Sequence, residues 1–179
     1  MRVLGISGSL REASINSALL RAARQLAPPG MDLRVLGGVG ELPLFNPDLE
    51  LNLPVQVQVL RAAIAGSDAL VLASPEYAHG VTGVIKNTLD WLASFEPLAG
   101  KCVAVLNASP RAHHADSALR ETLQTMSAIV VTGASLSIPL LGAKLSDAGM
   151  VADPLASLVI TRALSALHAA FSHRLFAQG

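Results

Sequence analysis

The chain has 179 residues, 51% of them hydrophobic, and its 13 lysine and arginine residues are matched by 13 aspartate and glutamate residues. This length predicts one domain, residues 1–179, with one substantial core, and the zero net charge argues against recruitment of nucleic acid or an anionic membrane. The single cysteine, Cys102, excludes an internal disulfide and a cysteine zinc site, and its position in an apolar run indicates a core residue. We therefore expect a small-molecule or protein partner.

The predicted location of the protein is cytoplasmic. The N-terminal sequence shows no charged segment followed by a long apolar run and a small-residue cleavage site, as a secretory signal would. The most apolar late segment, residues 154–171, contains Arg162 and His168, so we expect an amphipathic helix there and no membrane span.

Short apolar runs alternate with segments of helical periodicity along the chain. The predicted strands cover residues 3–7, 33–36, 69–73, 102–106 and 129–131. The predicted helices cover residues 17–26, 55–65, 84–95, 116–126 and 153–171, and Asp116 is expected to cap the fourth. Residues 37–54 form an irregular stretch rich in glycine, proline and asparagine.

This alternation predicts an α/β protein with helices on both faces of a parallel sheet. Five units suit a flavodoxin-like three-layer α/β/α sandwich with a five-stranded parallel sheet in the order 2-1-3-4-5. In that topology the loops after strands 1, 3 and 4 converge at the carboxyl ends of the strands, where ligands bind. These loops are GSLREASINS (residues 8–17), SPEYAHGVTG (residues 74–83) and ASPRAHHAD (residues 108–116).

The first loop has the chemistry of a phosphate-binding site. It precedes a predicted helix, whose N-terminal amides and dipole favour an anion, and Gly8 allows a close approach of the backbone. Arg11 can neutralise part of a phosphate dianion, and hydroxyl or amide groups on Ser9, Ser14, Asn16 and Ser17 can donate further hydrogen bonds. The alternative is that Ser14 or Asn16 only caps the helix and the rest is a solvated turn. The loop lacks the glycine motifs that are typical of nucleoside-triphosphate binding, of dinucleotide binding and of a nucleophile elbow.

Two of the three loops carry motifs that resemble a known family. The segments GSLREASIN (residues 8–16) and SPEYAHGVTGVIKNTLDWL (residues 74–92), at this spacing, resemble the NADPH-dependent FMN reductases, flavodoxin-like flavoproteins that include quinone, azo-compound and chromate reductases. The resemblance extends from residue 3 to about residue 131, and a weaker similarity continues in AKLSDAGMVAD (residues 143–153). It implies that the first loop holds the FMN phosphate through Ser9, Arg11, Ser14, Ile15, Asn16 and Ser17.

By the same resemblance, the second loop carries the isoalloxazine ring on main-chain amides and a tyrosine side chain. The residues implied are Pro75, Glu76, Tyr77, Ala78 and His79. Many family members have asparagine where this chain has Ala78, which puts in doubt any ring-orienting role of that side chain. Tyr77 has an alternative interpretation as a core or rim aromatic, and His79 as a solvated loop residue.

The third loop occupies the place of a glycine-rich turn that faces the pyrimidine end of the flavin in the family. Here Ser109 and the amides after it, with Pro110, are expected to contact the ring, and Arg111 to stabilise negative charge that accumulates on reduction. His113 and His114 stand where the family has glycines. We expect no metal there, because adjacent residues on a turn rarely chelate one ion together.

The resemblance implies an enzyme, an NAD(P)H-dependent oxidoreductase with FMN as cofactor and NADPH or NADH as co-substrate. A hydride would pass to FMN, and the electrons would pass to a quinone, azo compound, metal oxyanion or free flavin by a ping-pong mechanism. No side chain is nominated as an acid, base or nucleophile. The alternatives are a flavodoxin-like electron carrier, although such carriers are usually acidic, and a non-catalytic flavin-binding protein.

Family members form homodimers, and commonly homotetramers, with the flavin near the subunit boundary. Residues 37–54 are therefore expected to cover a neighbouring subunit's site, or else to form a lid on their own subunit. Lys86, Asn87 and Asp90 resemble family positions that support the loop and the subunit contact, and Trp91 is interpreted as a packing or interface residue.

Overall fold

The computed structural model of the chain describes residues 1–109, 111–138, 140 and 146–177. Its strands are β1 (Arg2–Ser7), β2 (Asp32–Val35), β3 (Ala69–Ala73), β4 (Glu76–Tyr77), β5 (Gly80–Val81), β6 (Cys102–Val105) and β7 (Ile129–Val130). Its α-helices are α1 (Ile15–Gln25), α2 (Val55–Ala65), α3 (Gly83–Asp90), α4 (His113–Thr125), α5 (Asp147–Ala152) and α6 (Pro154–Ala177).

The main sheet has the order β2-β1-β3-β6-β7, and all of its neighbouring strands are parallel. The strands β4 and β5 pair with each other in a separate antiparallel hairpin. Once that hairpin is left out of the numbering, the predicted flavodoxin-like order 2-1-3-4-5 is confirmed. The winding direction reverses between β1 and β3, so the loops after these strands diverge to opposite faces and leave a cleft at their carboxyl ends.

The sheet is buried on both faces. Alternate residues of β3 face opposite sides, so that Val71 packs in one core cluster and Leu70 in the other. The helices α1, α5 and α6 cover the first face, and α2, α3 and α4 cover the second. Because both sets of alternate positions are apolar, the strands read as continuous apolar runs in the sequence.

Several boundaries differ from those predicted. The helix α4 begins at His113, three residues before the predicted start, so Asp116 lies inside its first turns and binds Arg120 (Oδ2 to Nε, 2.7 Å). The prediction that Asp116 caps this helix is therefore wrong. The helix α3 ends at Asp90, and α6 extends to Ala177. The hairpin and α5 were not predicted, because two-residue strands and a six-residue helix give no clear periodicity.

By length and composition, α6 could cross a membrane, a criterion that core helices of soluble proteins also meet. One side of the helix, which includes Ile160, Leu164 and Leu167, is buried in the core cluster that also contains Cys102. The interpretation of Cys102 as a core residue is confirmed, since its exposed fraction is 1%. The other side of the helix also carries exposed leucines, among them Leu155 and Leu158 (54% and 56% exposed), so the prediction of an amphipathic helix is not confirmed.

The stretch 37–54 is fixed to its own subunit. The side chain of Asn87 accepts a hydrogen bond from the N–H of Phe45 (2.8 Å) and donates one to the carbonyl of Pro43 (3.0 Å). The indole of Trp91 donates to the same carbonyl (2.7 Å), and its ring packs edge-on against Phe45. Asn87 and Trp91 thus support this loop, while Lys86 pairs with Asp90 on the exposed side of α3. A role of the stretch at a neighbouring subunit stays a prediction.

Candidate functional site

A cavity of about 250 Å³ lies where the three loops converge at the carboxyl ends of β1, β3 and β6. Its lining includes residues from each predicted segment, namely Ile15, Asn16, Pro75, Glu76, Ser109 and Arg111. The three loops that were predicted to converge therefore meet at one cavity, and their role in binding a cofactor stays a prediction. Ser74, Asn107, Ala108 and Ala112 also line it and were not predicted as site residues.

The first two loops are packed unusually close together. A Cβ atom at Gly8 would lie 2.3 Å from the Oγ of Ser74, so no other residue fits there without a shift of the second loop. The hydroxyl of Thr82 donates to the carbonyl of Gly8 (2.7 Å) and accepts from the N–H of Ile85 (3.3 Å), so it also caps α3. This contact joins the loop after β1 to the helix that follows the hairpin.

The first loop leaves several backbone donors open. Ser14 caps α1, because its Oγ accepts from the N–H of Ser17 (3.2 Å), and the hydroxyl of Ser17 lies 2.9 Å from that of Ser7. Ser14 therefore caps the helix, and its predicted contact with a phosphate stays a prediction. Within the described residues, no acceptor binds the main-chain N–H groups of residues 12–16. These donors and the helix dipole still suit an anion.

Asn16 has a buried oxygen that lacks a hydrogen-bond partner. Its exposed fraction is 4%, it lines the cavity, and its Oδ1 finds no donor in the described part of the chain. A buried polar atom without a partner costs about 1–3 kcal/mol, so it is rare in a folded chain. A ligand that offers an N–H or O–H group at this position would satisfy it.

Ser9 and Arg11 lie farther out on the first loop. Arg11 is exposed and Ser9 is partly exposed, and neither lines the cavity. The N–H of Arg11 lies 3.4 Å from the Oγ of Ser9, which is a weak contact that keeps the loop compact. The structure does not test their predicted contact with a phosphate.

The second loop forms the hairpin of β4 and β5, with Ala78 and His79 at its tip. Both have positive φ, 49° for Ala78 and 60° for His79, as in the type I′ turns that join tightly paired strands. Asparagine and glycine tolerate this conformation best, whereas alanine does not. Tyr77 is 56% exposed, so its interpretation as a core residue is wrong and its side chain is available at the rim.

The side chain of Glu76 links the second loop to the third. Its Oε2 accepts a hydrogen bond from the N–H of Ala115 (2.8 Å) in the first turn of α4, and its Oε1 lies 3.2 Å from Nδ1 of His79. The hydrogen bond from Ala115 lowers the pKa of Glu76, burial opposes this change, and the contacts with His79 and His114 lower the pKa further. Sequence reasoning assigned only the main chain of Glu76 to the site.

Asn107 shapes the third loop. Its Oδ1 accepts from the N–H of Ser109 (2.9 Å), and its Nδ2 donates to the carbonyl of Ala112 (3.1 Å). The loop therefore folds around one buried amide. Arg111 is exposed at the rim of the cavity, and Pro110 lies outside the described residues.

Three imidazole rings lie beside the cavity. The centroids of His79 and His114 are 4.6 Å apart, and those of His113 and His114 are 4.1 Å apart. In the part of the chain that the structure describes, no group of three or more histidine, cysteine, aspartate or glutamate side chains is arranged to hold a metal ion. The rings pack against one another and join the tips of the second and third loops.

The sequence model of the NADPH-dependent FMN reductases matches residues 1–140. A Pseudomonas aeruginosa NAD(P)H-dependent FMN reductase is 45% identical over 112 residues, which span 61% of this chain and 60% of that protein. An Escherichia coli quinone reductase is 34% identical over 113 residues, with the same coverage of 61% and 60%. The similarity therefore spans about three fifths of the length of these curated relatives.

The fold is similar to that of a solved flavoenzyme, the NAD(P)H:(acceptor) oxidoreductase FerB from Paracoccus denitrificans. The two chains superpose with a TM-score of 0.81 and 28% sequence identity, over 96% of this chain and 97% of the other. The match to the family model includes all three loops that form the cavity. The chain belongs to the NADPH-dependent FMN reductase family.

Proposed function

We propose that the protein is an FMN-dependent NAD(P)H oxidoreductase that reduces a small-molecule acceptor, with FMN held in the cavity between the three loops. The observation that carries this proposal is the buried, unpartnered Oδ1 of Asn16, a residue that lines the cavity between loops of the FMN reductase pattern. The names of the similar proteins, FMN reductase and quinone reductase, support the same activity.

The residues of the cavity fit such a cofactor. The open N–H groups of residues 12–16, with Ser9 and Arg11, offer donors and charge for the phosphate. Asn16 offers an acceptor and an amide donor farther in, and Ser109 and Arg111 offer donors on the opposite side of the cavity. Tyr77 supplies an exposed aromatic face at the rim.

Bound FMN supplies the redox chemistry, because it can take a hydride from a nicotinamide nucleotide and transfer two electrons to an acceptor. The protein holds both substrates in turn at one cleft, which predicts ping-pong kinetics. From the rim of the cavity, Arg111 would stabilise negative charge on the reduced FMN. A quinone is the acceptor that the relatives' names support best.

We also propose a homodimer or homotetramer in the cytoplasm. Leu10, Leu44 and Leu51 are 61%, 83% and 93% exposed, and they project from the first loop and the 37–54 stretch. Large apolar side chains that are this exposed favour an interface with a second subunit. Analytical ultracentrifugation of the wild-type chain and of Leu44→Asp would test this assembly, and a monomeric wild-type protein would contradict it.

The activity can be tested by absorption spectroscopy. The purified chain is incubated with excess FMN, desalted, made anaerobic and mixed with NADPH, and then a quinone is added. We expect a retained flavin band that NADPH bleaches and that the quinone restores. A band that dithionite bleaches, but neither NADPH nor NADH bleaches, would contradict the reductase and favour an electron carrier. Loss of the band on desalting, with no NADPH oxidation in excess FMN, would contradict the cofactor.

A further inference from the structure

A second cavity of about 250 Å³ lies at the opposite end of the sheet from the cleft. Its residues come from the amino ends of two strands and from the last turns of α6: Asp68 precedes β3, Lys101 precedes β6, and Arg174 lies on α6. The five residues of β3 separate it from the cleft, which corresponds to about 17 Å. No part of the proposed function uses this cavity.

The acidic group in this cavity already has its partners. One carboxylate oxygen of Asp68 accepts from the main-chain N–H of Arg2 (2.6 Å), and the other accepts from the guanidinium of Arg2 (3.3 Å). Burial raises the pKa of Asp68, but the hydrogen bonds and the charge of Arg2 outweigh it, so the pKa lies below its usual value. The negative charge of Asp68 is therefore matched by Arg2.

Lys101 brings a second cation to the cavity wall. Its Nζ donates to the carbonyl of Ser67 (2.6 Å), which uses one of its three N–H groups. Burial lowers the pKa of Lys101, and the nearby carboxylate of Asp68 only partly opposes this effect. A buried ammonium group whose charge is incompletely compensated is stabilised by an anion placed beside it.

Arg174 supplies the third cation. Its guanidinium lies against the backbone of Gly100, with Nη2 3.0 Å from the position that a Cβ atom would take there. Gly100 has a φ of +72°, so a glycine both fits the turn and leaves room for the guanidinium. Within the described part of the chain, no carboxylate lies within 4 Å of Arg174 and no acceptor takes a hydrogen bond from it.

Most of the remaining cavity wall is apolar. Phe171 and Leu175 come from α6 and Pro97 from the turn before β6, and the lining also includes Ser67, Ala99 and Cys102. Cationic and apolar side chains together in one cavity match a molecule that has an anionic head and an apolar body. The volume of about 250 Å³ accommodates a small molecule of this kind.

We propose that this cavity is a second binding site, which takes a small carboxylate with an apolar body. The guanidinium of Arg174 binds the carboxylate with its paired N–H donors, Lys101 contributes a further charge-assisted hydrogen bond, and Phe171 packs against the hydrocarbon. Bidentate recognition distinguishes a carboxylate from a neutral amide of the same shape.

Benzoate is the probe that tests the proposal, with benzamide as its neutral counterpart. Both are titrated into the FMN-saturated chain, and the amide resonances of residues 99–102 and the thermal midpoint are followed. We expect saturable benzoate binding with a Kd of about 1 mM or tighter, with shifts centred on Gly100. Benzamide should give neither effect.

Two variants on α6 make the test specific. Arg174→Gln should weaken benzoate binding by about tenfold or more, because it removes the charge-assisted donors. Arg162→Gln, an exposed arginine on the same helix, should bind benzoate as the wild type does. Circular dichroism confirms that both variants are folded. The proposal would be overturned by an equal response to benzamide, by unchanged benzoate affinity in Arg174→Gln, by binding that does not saturate, or by displacement of benzoate by FMN. None of these outcomes depends on reductase activity.

Discussion

The carboxylate of Glu76 accepts a hydrogen bond from the main-chain N–H of Ala115 across 39 residues of sequence. It thereby satisfies one of the open N–H groups at the start of α4. No side chain at the N-terminal cap of α4 itself binds these groups. This side chain supplies a hydrogen bond between the second and third loops of the cleft, beside the contact between the rings of His79 and His114.

This link predicts a specific pH dependence. The pKa of Glu76 is lowered from 4.5, chiefly by the hydrogen bond from Ala115. The link is therefore fully present above pH 4.5 and is lost as pH falls through the lowered pKa. The amide resonance of Ala115, followed by NMR, should titrate with a midpoint below 4.5. In Glu76→Gln this titration should vanish, and a wild-type midpoint at or above 4.5 would contradict the link.

Ala78 predicts a stabilising substitution. Its φ of 49° costs about 1–2 kcal/mol for an ordinary L-residue, and asparagine tolerates that conformation better. Ala78→Asn should raise the free energy of unfolding by about 0.5–1 kcal/mol, measured by urea denaturation. The same substitution at Ala118, an exposed position inside α4, should lower it by up to about 0.7 kcal/mol, because asparagine is a poorer helix former. Destabilisation by both substitutions would show that the turn is not strained.

In the third loop, the contacts of Asn107 predict a destabilising substitution. Asn107→Ala leaves the N–H of Ser109 and the carbonyl of Ala112 without their partner, which should lower the free energy of unfolding by about 2–3 kcal/mol. Asn107→Asp keeps the acceptor for Ser109 and should cost less. Urea denaturation of both variants checks this order. If Asn107→Ala unfolds like the wild type, the amide does not hold the loop.

The first loop predicts a loss of FMN affinity on removal of its charge. Ser9→Ala with Arg11→Ala should raise the Kd for FMN at least about tenfold. The binding free energy should weaken by several kcal/mol at most, because charge-assisted hydrogen bonds contribute roughly 1.5–3 kcal/mol each. Arg24→Ala, at the far end of α1, is the matched control and should leave the Kd unchanged. Fluorescence quenching of FMN measures both. Equal affinity of the double variant and the control would remove Ser9 and Arg11 from the phosphate site.

The sequence was sufficient to predict the sheet and its strand order. The runs 69–73 and 102–106 are apolar at every position, which is the pattern of a strand covered on both faces, and only a few topologies accommodate five such units. Helix ends were less predictable. The helix α4 starts at His113 because Glu76 accepts from its first turn, and no local pattern around residue 113 indicates an acceptor so far away in sequence.

The candidate site was predicted in part for the same reason. Local chemistry indicated Asn16 and the first loop, because hydroxyl and amide groups before a helix are visible in the sequence. The roles of Thr82 and Asn107 depend on contacts between loops, which the sequence does not show. The positive φ of Ala78 could not be predicted either, because alanine, unlike asparagine or glycine, does not indicate such a turn.

The most direct test of the central claim is an FMN titration of the wild-type chain and of Asn16→Ala. If the unpartnered Oδ1 of Asn16 faces the flavin, the wild type binds FMN saturably, and Asn16→Ala binds it about 5- to 150-fold more weakly, since one hydrogen bond is lost. The apo variant should keep its free energy of unfolding within about 1 kcal/mol, because the oxygen has no partner to lose. Absence of FMN binding by the wild type, or equal affinity of the two proteins, would contradict the account.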